Sequence, residues 1–308
     1  MTLFKRNPNR IHRGFGSHLF DVINIILLVL LAITCIYPFW DTLVVSFSSL
    51  KSYLSTSIHL WPSEWSFEGY QFMITNEDLW TSYANSLFIT VVGTIINLLV
   101  TVMAAYVLSK KNLKGHRVLT FLAVFTMMFS GGIIPTYIVV KDLHLMNTLW
   151  SMILPTAITT SYLIIMRNFF FDLPHELEES AMLDGCTEVG VLFRIILPLV
   201  KATFAVIVLP ISRPSIITIA LFYAVDHWND FFSAILYIMN SEKWPLQLFL
   251  RSMLFETEAS YSSSASLFLL GQPMKMAAIM MAIIPIMLMF PFFQKYFAKG
   301  ILMGAVKG

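Results

Sequence analysis

The chain has 308 residues, 57% hydrophobic and 12% charged, with 26 Phe and a formal net charge of +2. Its mean hydropathy is +0.74. Soluble proteins carry about 25% charged residues, roughly twice as many, so this composition excludes a soluble domain.

Apolar runs fall at about 20–46, 83–108, 118–140, 149–168, somewhere in 199–225, and 274–293. About 20 apolar residues suffice to cross a hydrocarbon core, where backbone groups must satisfy one another within a helix. A barrel would show short alternating segments, and the sequence has none. The expected fold is an all-α polytopic membrane protein with six transmembrane helices. The first run is too long for a signal-peptide core and lacks a small-residue cleavage site, so it is expected to stay as an anchor. Cys35 lies in that run and Cys186 in a polar stretch, which argues against a disulfide.

The basic residues choose an orientation. Lys5, Arg6, Arg10 and Arg13 precede the first run, and Lys110, Lys111, Lys114 and Arg117 lie between the second and third. Arg167 and Arg194 flank the fourth connection, and Lys295, Lys299 and Lys307 close the chain. The alternate loops hold only Lys51, Lys141, Lys243, Arg251 and Lys275. The positive-inside rule then places both ends in the cytoplasm. The domain division expected is a cytoplasmic segment 1–19, a transmembrane domain 20–293 with a cytoplasmic loop 169–198, and a cytoplasmic tail 294–308. On the opposite face, residues 47–82 hold Trp61, Trp65, Trp80 and Tyr70, as suits interfacial anchoring. The polar run SYSSSAS at 260–266 reads as a loop. A solvated loop or a role in handling substrate fits either stretch.

The third run contains SGGIIP at 130–135, where Gly and Pro weaken the helix ladder. Its two readings are a kink beside a transport path and close helix packing by small residues.

The fourth connection concentrates charge. Asp172 can cap a helix whose first turn carries Pro174, and Glu176, Glu178 and Glu179 complement the positive end of the dipole. Gly185 suits a helix end, and Thr187 and Glu188 can start a second helix that Pro198 ends. The result is a short helix, a glycine turn and another helix at the cytoplasmic surface. It serves either as a solvated hairpin joining two spans or as a docking element for a soluble partner.

Glu179, Ala181 and Gly185, followed after nine residues by Ile195, Leu197 and Pro198, resemble the EAA motif of ABC importer permeases. Ser180 stands where that motif usually has its first Ala. The segments NSLFITVVGTIINLL at 85–99, AAYVLSKKNLKGH at 104–116, HWNDFF at 227–232 and FPFFQKYFAKGILMGAVKG at 290–308 resemble the carbohydrate branch of the family. They are most similar to the second permease subunit of maltose-type and lipoprotein-associated oligosaccharide importers. The resemblance implies a subunit without catalysis of its own, in a bacterial plasma membrane, carrying a carbohydrate by alternating access. It implies a coupling helix between spans four and five, with Glu179, Ser180, Ala181, Asp184, Gly185, Ile195, Leu197 and Pro198 meeting an ABC ATPase dimer. It also implies a second permease subunit, an extracytoplasmic solute-binding protein, and ATP and magnesium on the ATPase rather than on this chain. By the same resemblance, Gly304, Ala305, Lys307 and Gly308 of the tail reach between the ATPase subunits.

The chain itself has no G-x-x-x-x-G-K-[ST] loop to cradle phosphates. Its seven His are scattered, with no metal-ligand spacing, and no hydrolytic cluster stands out. Nothing in it calls for nucleic acid. Trp228 and Asn229 in HWND, at the end of the fifth run, are candidate path residues: an aromatic face packs on a sugar ring and an amide pairs with hydroxyls. Interfacial anchoring is the other reading of Trp228. Asp226 occupies a position where relatives are expected to be small. The alternative function is an ATP-independent secondary transporter or channel, which would place ionisable groups at membrane depth. Asp41 and Asp226 lie near predicted outer ends, against that alternative.

One irregularity follows the coupling loop. ILPLVKATFAVIV at 196–208 and VLPISRPSIITIA at 208–220 echo each other twelve residues apart. Burying Arg213 mid-membrane would cost about 3 kcal/mol on insertion scales. Span five is therefore expected to begin near Pro210, with Arg213 at the cytoplasmic boundary and 199–209 as an extra apolar segment.

Overall fold

The computed structural model describes residues 15–110, 113–171, 208–259 and 271–288, together with Pro291. The described residues are helical apart from turns, loops and one isolated bridge between Ser48 and Trp65. Among the described residues three helices are long and apolar enough to cross a membrane, or four if one sharply bent pair counts as a single span. The chain divides into two compact units, Met1–Gln71 with Ala265–Met280 and Phe72–Ser264 with Met281–Gly308.

In the first unit, α1 (Phe15–Ser46) carries an apolar face exposed all round over Leu19–Phe39, as a lipid-facing helix requires. Cys35 is free and exposed there. Pro38 sits inside α1, and Thr42 Oγ1 donates to the Pro38 carbonyl. Short α2 (Leu50–Ser55) is capped by Ser49, which accepts from Ser52 N–H. The loop after it is tied back by hydrogen bonds. Trp40 Nε1 donates to the Leu60 carbonyl at 3.0 Å, and His59 contacts Asp41 at 3.1 Å. Hydrogen bonds from Lys51 and then Ser49 hold the Glu64 carboxyl below its ordinary range. Phe47 stacks on Tyr70, 4.8 Å between ring centres, in the aromatic-rich stretch expected from the sequence. Here α3 (Glu68–Thr75) approaches α12 (Gly271–Leu288) closely: a Cβ on Gly69 would lie 3.1 Å from Ala277 Cβ.

In the second unit the organising element is α4 (Glu77–Ser109). Asn76 caps it, accepting from Asp78 and Leu79 N–H, and Glu77 and Asp78 complement its positive end. Against α4 pack α8 (Thr160–Phe171) and α9, described over Val208–Asn229. Their shared core repeats at helical spacing. Val102, Ala105 and Tyr106 meet Leu163, Met166 and Phe170, then Ile219 and Tyr223. A second core joins Ile89 to Met152 and Ile153 of α7 (Trp150–Ile153), Val140 of α6 (Ile133–Asp142), and Ala234 and Tyr237 of α10 (Phe232–Tyr237). Leu248 of α11 (Leu246–Ala259) completes it.

Two of the expected spans are interrupted. The third run forms α5 (His116–Met128) and α6, bent by 113°. Gly132 takes φ +88 in the gap, a region open to glycine, and a Cβ there would meet nothing within 4 Å. The break, rather than close packing, is what SGGIIP does. The fourth run is not one helix either: α7 ends at Ile153 and α8 begins at Thr160. Part of the expected outer loop is helix α11, with Leu246, Leu248, Phe249 and Leu250 buried. Residues 199–207, where the start of span five was expected to be decided, lie outside the described residues, as does SYSSSAS.

Candidate functional site

The gap between α7 and α8 lies beside the centre of the apolar run of α4, and its freed backbone groups have side-chain partners. Asn97 Nδ2 donates to the Thr156 carbonyl at 2.9 Å. Thr159 N–H donates to Tyr223 Oη at 3.0 Å, and Tyr223 in turn pairs with Thr101 Oγ1 at 2.6 Å. Asn97, Thr101 and Tyr223 are all essentially buried. A broken helix is tolerated at membrane depth only where neighbours satisfy its backbone in this way.

The same amide fixes a histidine. Asn97 Nδ2 also lies 3.1 Å from His227 Nε2. Because the Thr156 carbonyl can only accept, the amide nitrogen is the donor to both, so Nε2 is unprotonated and the imidazole proton sits on Nδ1. Asn97 Oδ1 then has no hydrogen-bond partner among the described residues. Gly93, one turn earlier on α4, makes the approach possible: a Cβ there would lie 2.5 Å from His227 Nε2.

These groups open onto a cleft of about 320 Å³. One wall is Asn97 with the Thr156–Thr159 gap, and the other is the end of α9 from Tyr223 to Asp230. Tyr162 Oη donates to Asp226 Oδ2 at 2.8 Å, joining α8 to α9 at a residue of the cleft wall. Asp230 Oδ1 accepts from Ser233 N–H at the start of α10. Among the described residues the lining thus offers two amides, hydroxyls and two carboxylates, with no Lys or Arg. Sugar hydroxyls both donate and accept, and such a set can meet them.

Of the path residues expected from sequence, Asn229 lines the cleft, its Nδ2 donating to the Val225 carbonyl at 2.9 Å. Trp228 turns the other way and is buried edge-on against Tyr83, with ring centres 6.2 Å apart. Its Nε1 has no partner among the described residues. HWND does end a helix, but His227 lies against Gly93 and Asn97, beside the middle of α4 rather than level with its ends. Asp226 is therefore deeper than the sequence implied. Asn97, Tyr223 and His227 were not singled out from sequence; the available signal was a lone amide in the middle of an apolar run. The coupling residues Glu179, Ser180, Ala181, Asp184, Gly185, Ile195, Leu197 and Pro198, and the tail residues Gly304, Ala305, Lys307 and Gly308, lie outside the described residues.

At the other end of α8, Arg167 joins three helices. Its Nε donates to the Leu108 carbonyl at 2.9 Å, among the unpaired carbonyls that close α4. A terminal guanidinium nitrogen lies 3.3 Å from His116 Nε2 at the start of α5.

A scan of family models matches none to the chain. Individual relatives are informative. The chain is 43% identical over 300 residues to Protein LplC of Bacillus subtilis, covering 96% of this chain and 98% of the relative. It is 40% identical over 296 residues to the polygalacturonan/rhamnogalacturonan transport system permease protein YtcP of the same organism, covering 95% and 99%. Among solved structures, a chain of a bacterial ABC transporter involved in the import of the acidic polysaccharide alginate superposes with a TM-score of 0.81 at 30% identity. That match covers 92% of this chain and 98% of the other.

Proposed function

The chain belongs to the permease subunits of carbohydrate ABC importers, and from that premise we propose that its sugar passes along the cleft between α4, the gap that precedes α8, and α9. As a permease subunit it is a multi-pass protein of the bacterial plasma membrane. ATP hydrolysis in such systems lies on a separate subunit, and the chain works with other subunits and a substrate-binding protein. In the finer reading, six spans place both ends in the cytoplasm, and a second permease subunit supplies the opposite wall of the path. An ABC ATPase dimer holds ATP and magnesium and receives the coupling loop 169–198 through Glu179, Ser180, Ala181, Asp184, Gly185, Ile195, Leu197 and Pro198. The tail residues Gly304, Ala305, Lys307 and Gly308 reach between the ATPase subunits. A solute-binding protein delivers the carbohydrate, and the names of the relatives point to an oligosaccharide released from a polysaccharide.

One observation carries the path assignment: a helix broken at membrane depth, beside a cleft lined by Asn97, Thr156, Thr159 and the end of α9. Transporters place substrate near the bilayer midplane, where discontinuous helices free polar backbone. The mechanical sequence is then short. Closure of the ATPase dimer displaces the coupling loop, the loop pulls α8, and α8 moves Tyr162, which is bonded to Asp226 in the wall of the cleft. Neither nucleotide nor metal is handled by this chain's own residues in that sequence.

The test is made on the assembled importer in proteoliposomes. Gly185→Trp is expected to abolish ATPase stimulation by the loaded binding protein while membrane insertion stays intact. Unchanged stimulation would refute the docking role.

A further inference from the structure

We propose that His59 is a proton-operated clasp: as an imidazolium it pins the strap of residues 56–66 to both α1 and α2, and as a neutral ring it holds only one of them. The inference goes beyond the sugar path and does not depend on it. On one side, His59 Nδ1 lies 3.1 Å from Asp41 Oδ1, near the end of α1. On the other, His59 Nε2 lies 3.2 Å from the carbonyl oxygen of Tyr53, one of the carbonyls that the end of α2 leaves without an intrahelical partner. An ionised carboxylate and a carbonyl only accept, so both ring nitrogens donate, and only the imidazolium carries a proton on each. The ring also lies flat on Tyr53, with 14° between the planes and 4.9 Å between the centres. An aromatic face attracts a cation lying over it. Three contacts therefore select the same charged form.

On losing a proton, the ring keeps one bond and turns a lone pair toward an oxygen that cannot donate. The titratable groups that face it are Asp41 from α1 and Tyr53 from α2. Within the strap, Glu64 is engaged elsewhere, by Lys51 Nζ at 3.2 Å and Ser49 Oγ at 3.0 Å. The His59 side chain is 13% exposed and that of Asp41 31%, which shields the pair yet leaves solvent a way to the proton. Other ties of the strap are neutral. Trp40 Nε1 donates to the Leu60 carbonyl, and Ser52 Oγ accepts from Ser63 and Glu64 N–H. Histidine is the side chain that ordinarily changes charge between about pH 5 and pH 8, so in that range the clasp is the tie that changes. The strap carries exposed Trp61 and Trp65, edge to face at 5.7 Å, and its release frees that pair to move.

The experiment uses the full chain with its partner permease and ATPase in lipid nanodiscs. Amide exchange at Ser63 and Glu64 reports the strap, because their acceptor Ser52 belongs to α2. It is followed at about pH 5 and about pH 8, on either side of the histidine range, and corrected for the intrinsic rate. Protection of these amides is expected to be about fivefold weaker at the higher pH, the effect of one lost hydrogen bond. His59→Phe keeps a ring on Tyr53 without either bond, and should be weakly protected at both pH values. Asp41→Asn presents an amide that accepts from Nδ1–H or donates to bare Nδ1, so both bonds survive in either form and the pH dependence should vanish. Equal protection of the unsubstituted chain at the two pH values would overturn the inference. So would a pH dependence that survives in either variant, since another group would then carry it.

Discussion

A methyl group at residue 93 would meet the imidazole of His227 at 2.5 Å from Nε2 and 2.9 Å from two ring carbons. Helix propensity alone favours Ala over Gly by about 1 kcal/mol, but overpacking a buried contact costs about 1–3 kcal/mol. The clash decides the sign, because the ring is buried and held by Asn97. Gly93→Val is therefore expected to lower the thermal midpoint of the purified chain and to abolish uptake. Asn97→Leu tests the same seat from the other side. It leaves the Thr156 carbonyl unpaired, a loss of about 1–3 kcal/mol, readable as a shift in the denaturation midpoint. Neither role was visible in the sequence. Gly93 and Asn97 stand among Val, Ile and Leu, and only the arrival of α9 gives them work. Asn229 was legible, because it stands in a polar cluster at a helix end. Its neighbour Trp228 shows why the rest was not: residue type identifies a sugar-stacking ring and a packing ring equally well, and direction separates them.

Elements were legible to different degrees for a physical reason. The long helices α1 and α4 and the apolar run that becomes α12 follow from length and hydropathy alone. Which face of α4 points inward does not, because its pattern is the reverse of a soluble helix. Leu87, Val91 and Ile95 lie exposed, while Ser82, Ser86, Asn97 and Thr101 are buried. Lipid accepts the apolar side chains, and small or polar residues allow close approach and hydrogen bonds between helices. Ser86 Oγ, for instance, accepts from Leu246 N–H at 2.7 Å. The division of the fourth run into α7 and α8 had a signal that hydropathy alone passes over, since Pro155, Thr156 and Thr159 stand in the gap. The loop before α7 is clamped by Asn147 at φ +58, a conformation Asn tolerates. Its N–H donates to the Tyr237 carbonyl, and its Oδ1 accepts from Met239 and Asn240 N–H. Asn147→Ala removes both acceptor contacts and favours another backbone region. It should destabilise the region around α10 by about 1–3 kcal/mol, detected as faster amide exchange at residues 237–240.

At the scale of the whole molecule, charge asymmetry predicts topology. A Lys114→Cys variant in a chain lacking Cys35 and Cys186 should be labelled by an impermeant maleimide only from the cytoplasmic side, and Lys243→Cys only from outside. Labelling of both from one side would overturn the six-span arrangement. Arg213→Cys addresses the twelve-residue echo in the same assay: cytoplasmic labelling places the start of span five near Pro210, and protection moves it earlier. The membership in a permease family was legible in the short spacing from Glu179 to Pro198, which resembles the EAA motif of ABC importer permeases. The depth of the cleft was not, since it depends on three separate runs meeting.

The gap at residues 154–159 gives α8 the geometry of a lever with its fulcrum at the cleft. Twelve helical residues span about 18 Å, so a displacement of about 3 Å at Phe171 tilts the helix by about 10°. Such a tilt bears first on the bonds nearest the pivot, Thr159 to Tyr223 and Tyr162 to Asp226. On the proposed route, a pull on the coupling loop reaches the cleft residues Thr159 and Asp226 through these two bonds.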